Sequence, residues 1–147
     1  MKTKVNWTAV IVAAVAHFLL GAVWFTIFQQ AWLSGIGKTM EQLKLEAGSA
    51  TLAYIVAFLC NIVMARVLAQ VILATGETSG FQGMKVGMFI WAGFVATTFM
   101  TEYAFEARHI SIWAINAGYP LVGLLIMGGI LGAWKTKTPA EASRAAA

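Results

Sequence analysis

The chain of 147 residues is poor in charge and in the residues that build most catalytic and metal sites. It has no aspartate, one cysteine, two histidines and two prolines, and charged residues make up 11% of it. A single cysteine, Cys60, excludes an intrachain disulfide. The absence of aspartate excludes a paired-aspartate site, and the sequence shows no Ser-His arrangement and no metal-ligand spacing. We therefore expect no enzyme activity, no metal site and no cofactor.

Long apolar runs fill the chain instead, with 60% hydrophobic residues and a mean hydropathy of +0.77. Crossing a bilayer takes about 20 mostly apolar residues, and runs this continuous indicate helices rather than barrel strands. The sequence predicts an all-α polytopic membrane protein, a four-transmembrane-helix bundle. One transmembrane domain would cover 1–134, with spans at 5–28, 50–74, 83–105 and 112–134. Little chain remains for a soluble catalytic domain, so any function lies within or at the edges of the bundle.

Lysine and arginine in the short connections predict the orientation of this bundle. The side of the two termini carries Lys2, Lys4, Lys85, Lys135, Lys137 and Arg144. The other side carries Lys38, Lys44 and Arg108. We predict that both termini are cytoplasmic and that 135–147 is a disordered cytoplasmic tail. The net charge of +4 is then a topology signal and requires no nucleic-acid partner.

The first connection between spans, Ser34 to Ser49, is polar enough to leave the membrane. Thr39 and Gln42 have the spacing of a helix capping box. We predict a short helix here that lies on the outer surface of the bilayer, between the first two spans.

Small residues at four-residue spacing mark the third and fourth spans. The two pairs are Gly83 with Gly87 and Gly128 with Gly132. Such pairs permit close approach of two helices, either within one chain or between chains. Both arrangements remain open at this point.

Polar groups in hydrocarbon are costly, so His17 near the middle of the first span is a candidate functional residue. With Ala13, Gly21 and Trp24 it falls on one face of a helix, which predicts a contact surface with another helix. One interpretation is a neutral histidine hydrogen-bonded to a neighbouring helix. The other is a protonatable group in a transport path, or a metal or haem ligand. Haem ligation is disfavoured because His109, the only other histidine, belongs to the opposite end of the bundle.

The second span carries Asn61 near its middle and Arg66 toward its cytoplasmic end. Asn61 is most simply a hydrogen-bonding group between helices. Arg66 has no obvious acidic partner, because among the glutamates outside the predicted tail only Glu77 is near that side. We predict that Arg66 extends toward the lipid headgroups, as a contact for an anionic lipid or another anion.

Polar residues are densest at the outer end of the third and fourth spans. Four of them recur at i, i+4, i+8 and i+11, which is one face of a helix if that helix continues past the membrane edge: Thr98, Glu102, Glu106 and His109. The fourth span adds Asn116 and Tyr119, followed by Pro120. If a helix already runs through Asn116, Pro120 leaves the backbone carbonyl of Asn116 without its helical hydrogen bond. If the helix instead starts later, Pro120 lies in its first turn and no carbonyl loses a hydrogen bond. The cluster is either a salt-bridge network with Arg108 or a site for a solute or cation.

Five segments of the chain resemble the sequence pattern of a known family. These are Asn6-Trp7, Gly21-Ala22-Val23-Trp24-Phe25, Trp32, the stretch Thr101–Arg108 and Asn116-Ala117-Gly118-Tyr119. Together they resemble the domain-of-unknown-function 1761 family of small bacterial four-helix membrane proteins. The resemblance extends through Trp134. It implies a multi-pass protein of the bacterial cytoplasmic (inner) membrane and supplies no activity. The chain has Phe25-Thr26-Ile27 where the family pattern has Tyr-Ser-Pro, and Pro120 where it has a histidine.

Two classes of function follow, and membrane lipid is a partner in both. In the first, the chain forms a small homo-oligomer whose polar residues line a path for a proton, cation or small solute. Glu102 would be the outer gate of that path and His17 its mid-membrane relay. In the second, the chain is a structural or accessory subunit that packs against other membrane proteins. The discriminating feature is whether His17 and Glu102 face water or packed protein.

Overall fold

The computed structural model describes residues 5–46, 48–76 and 79–134, and over these residues every regular element is a helix. The predicted tail 135–147, Ala47, Glu77 and the first lysines lie outside the described residues. The helices are α1 Trp7–Ile27, α2 Gln29–Ile36, α3 Met40–Glu46, α4 Ala50–Ala74, α5 Gly80–Ile90, α6 Ala96–Phe105 and α7 Ile110–Ala133. A short π-helical segment, Trp91–Val95, joins α5 to α6 in one continuous helix.

Four helices are long and apolar enough to cross a membrane: Trp7–Ile27, Ala50–Ala74, Gly80–Phe105 and Ile110–Ala133. The prediction of an all-α chain with four apolar spans is confirmed. The third span begins at Gly80, three residues earlier than expected, because Ser79 acts as its N-cap. The fourth span begins at Ile110, two residues earlier than expected, because His109 acts as its N-cap. Asn6 and Ser49 cap α1 and α4 in the same way.

The outward faces of the four spans are apolar. Leu19, Val23, Phe89 and Phe94 are each more than half exposed. A soluble monomer seldom exposes apolar side chains along whole helices, whereas lipid solvates them without cost. Hydrocarbon is therefore the solvent that suits these faces.

Helix α7 occupies the centre of the bundle, where it packs against α1, α4 and α5. Its approach to α5 is close enough that a Cβ at Gly83 would overlap the carbonyl oxygen of Gly128. A Cβ at Gly87 would likewise overlap the carbonyl oxygen of Leu124. Both glycine pairs therefore lie in a helix contact within one chain, whereas their spacing alone also allowed a contact between chains.

A proline lies inside α7, and tryptophans of neighbouring helices donate to the backbone carbonyls one turn before it. The helix starts at Ile110, so Pro120 is in its interior and removes the backbone donor for the carbonyl of Asn116. The Nε1 of Trp24 donates to the carbonyl of Ile115 at 3.1 Å, and that of Trp91 donates to the carbonyl of Ala117 at 2.7 Å. The two indoles thus tie α1 and the third span to the carbonyls on either side of the Asn116 carbonyl.

The connection between the first two spans contains two helices where one was expected. In α3 the capping box is present, since Thr39 and Gln42 exchange backbone-to-side-chain hydrogen bonds in both directions. The additional helix, α2, packs on the start of α7 because Gly35 leaves room for the side chain of Ile112. We refer to this end of the bundle as the α2–α3 end. The end with Asn6 is the opposite end.

Candidate functional site

His17 is buried in the middle of the bundle, with 1% of its surface exposed. Its imidazole lies between α1, α4 and α7. Gly123 of α7 provides the space, because a Cβ at that position would overlap the Cδ2 and Nε2 atoms of the ring. The helix contact surface predicted from the positions of Ala13 and His17 is therefore present, and a glycine on the facing helix admits the bulky ring.

Asn61 of α4 holds the imidazole from one side. His17 Nδ1 and Asn61 Oδ1 are 3.1 Å apart. Because a carboxamide oxygen only accepts hydrogen bonds, Nδ1 carries the proton and Nε2 is the unprotonated nitrogen of neutral His17. Nε2 is buried and has no hydrogen-bond partner among the described residues.

Tyr119 of α7 covers one face of the imidazole. The two rings stack with centroids 4.6 Å apart and planes inclined by only 7°. The Tyr119 hydroxyl donates to the backbone carbonyl of His17 at 3.3 Å. Gly21 permits this approach, since a Cβ there would be 3.0 Å from the Tyr119 oxygen. His17, Asn61 and Tyr119, on three different helices, thus form one packed unit that we name the histidine cluster.

A pocket of about 620 Å³ adjoins the histidine cluster on the α2–α3 side. Asn61 and Tyr119 form its inner wall, and α1, α2, α3 and α4 supply the rest. Five of its lining residues are aromatic: Phe18, Phe25, Trp32, Tyr54 and Tyr119. We name it the aromatic pocket. Trp32 was named above only as part of the family resemblance, and nothing in the sequence indicated that it lines a pocket.

The predicted outer cluster is divided between three structural settings. Thr98 and Glu102 are exposed on α6. The face does not continue to the other two residues, because the helix ends at Phe105. Glu106 follows that end and pairs with Arg108, while the His109 side chain caps α7 by accepting from the backbone N–H of Ser111 at 3.3 Å. The expectation of one continuous face over all four residues is wrong beyond Glu102. Ala107 in the left-handed region, with φ 50°, turns the chain there.

Asn116 contacts a residue that the site prediction did not include. Its Nδ2 donates to the hydroxyl of Tyr103 at 2.5 Å, and Tyr103 is buried. The Arg108 guanidinium lies over the Tyr103 ring, 5.3 Å from its centroid. Tyr103 thus connects the surface ion pair of Glu106 and Arg108 to the half-buried residue Asn116.

Arg66 lies on the opposite end's half of α4 and contacts an aromatic ring. Its guanidinium is 5.6 Å from the centroid of Trp7. Its Nη1 is buried and has no hydrogen-bond partner among the described residues. A planar cation over an indole is a favourable arrangement, and the remaining donors are available to an anion.

The structure brings together two groups of predicted residues and leaves others apart. His17, Asn61 and Tyr119 meet in the histidine cluster, whereas Asn116 pairs with Tyr103 and Glu102 is exposed on α6. The sequence analysis overlooked Gly123, although its position four residues after Tyr119 places it on the same helix face. Within the described residues, no three His, Cys or Glu side chains come together as a potential metal site. The chemistry available to the histidine cluster is hydrogen bonding and proton exchange at Nε2.

Comparison with known proteins identifies the family and leaves the activity open. The matching family model is described as "Protein of unknown function (DUF1761)" and covers residues 8–132. No curated protein and no solved structure matches the chain. The resemblance found in segments such as Asn116-Ala117-Gly118-Tyr119 is thereby confirmed over nearly the whole of the four spans. The chain belongs to the DUF1761 family, whose function is unknown.

Proposed function

We propose that this protein is a small transport protein of the membrane, in which a proton exchanges at His17. One observation carries the proposal: the His17 imidazole is buried in the bundle interior beside Gly123, and its Nε2 has no hydrogen-bond partner among the described residues. Ionisable residues at membrane depth most often belong to proton or solute pathways. After proton uptake both existing contacts persist. Asn61 still accepts from Nδ1, and the Tyr119 face attracts a cation.

A proton suits the interior of the bundle better than a metal cation does. Cation paths need acidic side chains or carbonyls directed at the ion. Among the described residues no glutamate is buried, and Glu102 and Glu106 are both exposed. Imidazole exchanges a proton readily near neutral pH, so His17 provides the group that a proton relay requires.

The route that we propose starts at the α2–α3 end. Glu102 collects protons at the surface, and the hydrogen-bonded pair of Tyr103 and Asn116 leads inward from it. Tyr119 is three residues from Asn116 on α7 and stacks on His17, while its hydroxyl bonds the backbone carbonyl of that residue. Water beside these side chains would therefore carry the proton over the last step to Nε2. The four helices have little interior of their own, so the remainder of the path would form between copies in a homo-oligomer.

The orientation is part of this proposal. We propose that the opposite end faces the cytoplasm and that α2 and α3 lie at the outer surface, in agreement with the excess of lysine and arginine on the terminal side. The membrane would be the bacterial cytoplasmic membrane.

Single-cysteine labelling tests the orientation. In the Cys60→Ala chain, Glu41→Cys should react with a membrane-impermeant maleimide in intact cells, because α3 is expected outside. Ser79→Cys, at the opposite end, should react only after the cells are permeabilised. The reverse pattern would show that the bundle is inserted the other way round.

Proton flux into proteoliposomes tests the function. Under a potassium diffusion potential set with valinomycin, the protein should raise the rate of internal acidification above that of protein-free vesicles. His17→Gln should lower this protein-dependent rate by about tenfold or more, because a side chain positioned for proton transfer accelerates the transfer by at least that factor. His109→Gln is the matched control, since the other histidine is exposed and caps α7. We expect it to retain the flux.

A competing proposal is that the chain is a structural or accessory subunit. The packing of His17 against Asn61 and Tyr119 favours it, because such contacts also join helices without any transport. Flux equal to that of protein-free vesicles, or unchanged in a correctly folded His17→Gln variant, would rule out the relay. A partner that copurifies at fixed stoichiometry would then support the subunit role.

A further inference from the structure

We infer that the aromatic pocket is a binding site for a neutral, planar molecule that carries a carbonyl oxygen at its inner end. The pocket shares Tyr119 with the proposed route from Glu102 to His17, but that route involves no organic ligand, so the inference goes beyond proton exchange. Its volume of about 620 Å³ falls within the range of about 300–1,000 Å³ that small-molecule sites occupy. Four arguments carry the assignment: the walls, the charge, the inner end and the roof.

The walls are aromatic rings whose positions are set by contacts with one another. Phe25 makes edge contacts with Trp32 and with Tyr119, at centroid distances of 5.7 Å and 5.5 Å. Phe18 meets Tyr54 edge-on at 6.2 Å. Because these rings present faces and edges at fixed angles, a planar ring can stack or make edge contacts on several sides.

The pocket carries no formal charge. None of its thirteen lining residues is Asp, Glu, Lys, Arg or His. A charged ligand would lose its hydration here and gain no counter-ion in return, which costs several kcal/mol as an order of magnitude. The ligand is therefore neutral.

The inner end requires a hydrogen-bond acceptor. Asn61 is 6% exposed and lines the pocket, and its Oδ1 is already occupied by His17. Its Nδ2 has no partner among the described residues. An amide N–H₂ in an apolar surrounding needs an acceptor, and a carbonyl oxygen of the ligand supplies one. A lipid acyl chain in the same place would leave Nδ2 unsatisfied.

The roof of the pocket consists of the two short helices. This roof contributes Trp32 of α2 and Met40 and Leu43 of α3 to the pocket lining. The position of α2 is maintained by the contact of Gly35 with Ile112. A ligand that partitions into the bilayer reaches such a site without passing through water, in keeping with a neutral and largely apolar molecule.

Equilibrium dialysis with two probes of equal shape tests the inference on the full chain in detergent micelles. The probes are 2-acetylnaphthalene, which has a carbonyl oxygen, and 2-isopropenylnaphthalene, in which a methylene group replaces that oxygen. After correction for uptake by protein-free micelles, the acetyl probe should bind about fivefold tighter or more, which is the value of one neutral hydrogen bond in a buried site. In Asn61→Leu this preference should disappear.

Two further variants separate the pocket from the fold. Ala57→Phe places a ring in the pocket, one helical turn before Asn61, and it should abolish binding of both probes. Val63→Phe, on α4 outside the pocket, is the matched control and should bind as the parent does. Equal binding of both probes by the parent protein, or binding that survives Ala57→Phe, would overturn the inference and indicate an apolar slot for lipid. The inference is also overturned if neither probe binds to the protein more than it binds to protein-free micelles. Because no flux is measured, these outcomes are independent of the proton relay.

Discussion

Replacing Gly83 with alanine is expected to destabilise the bundle more than any other single-methyl addition to the third span. The new Cβ would occupy the position of the Gly128 carbonyl oxygen and approach the Cα of Gly132 to 3.1 Å. These are backbone atoms, so they cannot rotate away, and α5 would have to move off α7. Overpacking of this kind costs about 1–3 kcal/mol, and we expect the upper end of that range. Reversible unfolding of the purified protein in mixed micelles measures the free energy.

The same helix provides a matched control in Gly93. A Cβ at Gly93 meets nothing within 4 Å. Gly93→Ala should therefore leave the unfolding free energy unchanged or raise it by up to about 1 kcal/mol, through helix propensity alone. Equal effects of the two substitutions would mean that α5 and α7 are not in close contact, and the central position of α7 would have to be abandoned.

Gly123→Ala is the second substitution with a large expected effect, because it removes the space for the His17 ring. The overlap falls on Cδ2 and Nε2 of an imidazole that is fully buried and stacked on Tyr119. The ring can move only by giving up the Asn61 hydrogen bond or the stacking. We expect a loss of about 1–3 kcal/mol in the unfolding free energy. Proton flux, if His17 is its relay, should fall in the same variant.

A double-mutant cycle identifies the cause of this loss. In a His17→Ala background the ring is absent, so Gly123→Ala should cost little or nothing there. The coupling free energy between the two positions should then be about 1–3 kcal/mol. A Gly123→Ala penalty that is the same in both backgrounds would show that the glycine is required for another contact of α7.

Together these substitutions bear on why a histidine is tolerated at membrane depth. The chain surrounds His17 with a carboxamide from α4 and an aromatic ring and a glycine from α7. The carboxamide belongs to Asn61 of α4, whereas the aromatic ring and the glycine, Tyr119 and Gly123, are one turn apart on α7. The histidine cluster therefore exists only when three helices are in register, which couples its chemistry to the fold of the whole bundle.

Much of the fold could be predicted from the sequence because hydrocarbon restricts the choices. The composition and run lengths predicted four apolar helices, and the four are present. The capping box at Thr39 and Gln42 was predicted from spacing alone, since both partners are local. Helix α2 was missed, and its position depends on the contact of Gly35 with Ile112, far away in the chain.

The candidate site was predicted only in part for the same reason. His17 and Asn61 were recognised because each is a polar residue in an apolar run, but nothing in the sequence indicated that they bond to each other. The outer face through Thr98 and Glu102 was extended wrongly to His109, because the end of α6 at Phe105 is determined by the turn at Ala107. The aromatic pocket has no sequence signature. Its rings read as ordinary apolar or interfacial residues until several helices surround one space.

The sequence by itself determined the class of the protein, the number of its spans and the membership of its family, because these depend on local hydropathy and on motifs read along one segment. Only the tertiary structure decided which helix is central, that the glycine pairs join α5 to α7, and that His17 meets Asn61 and Tyr119. The physical reason is that lipid satisfies every apolar face equally. Within the bilayer, close packing and interhelical hydrogen bonds select the partners, and both depend on residues far apart in the chain.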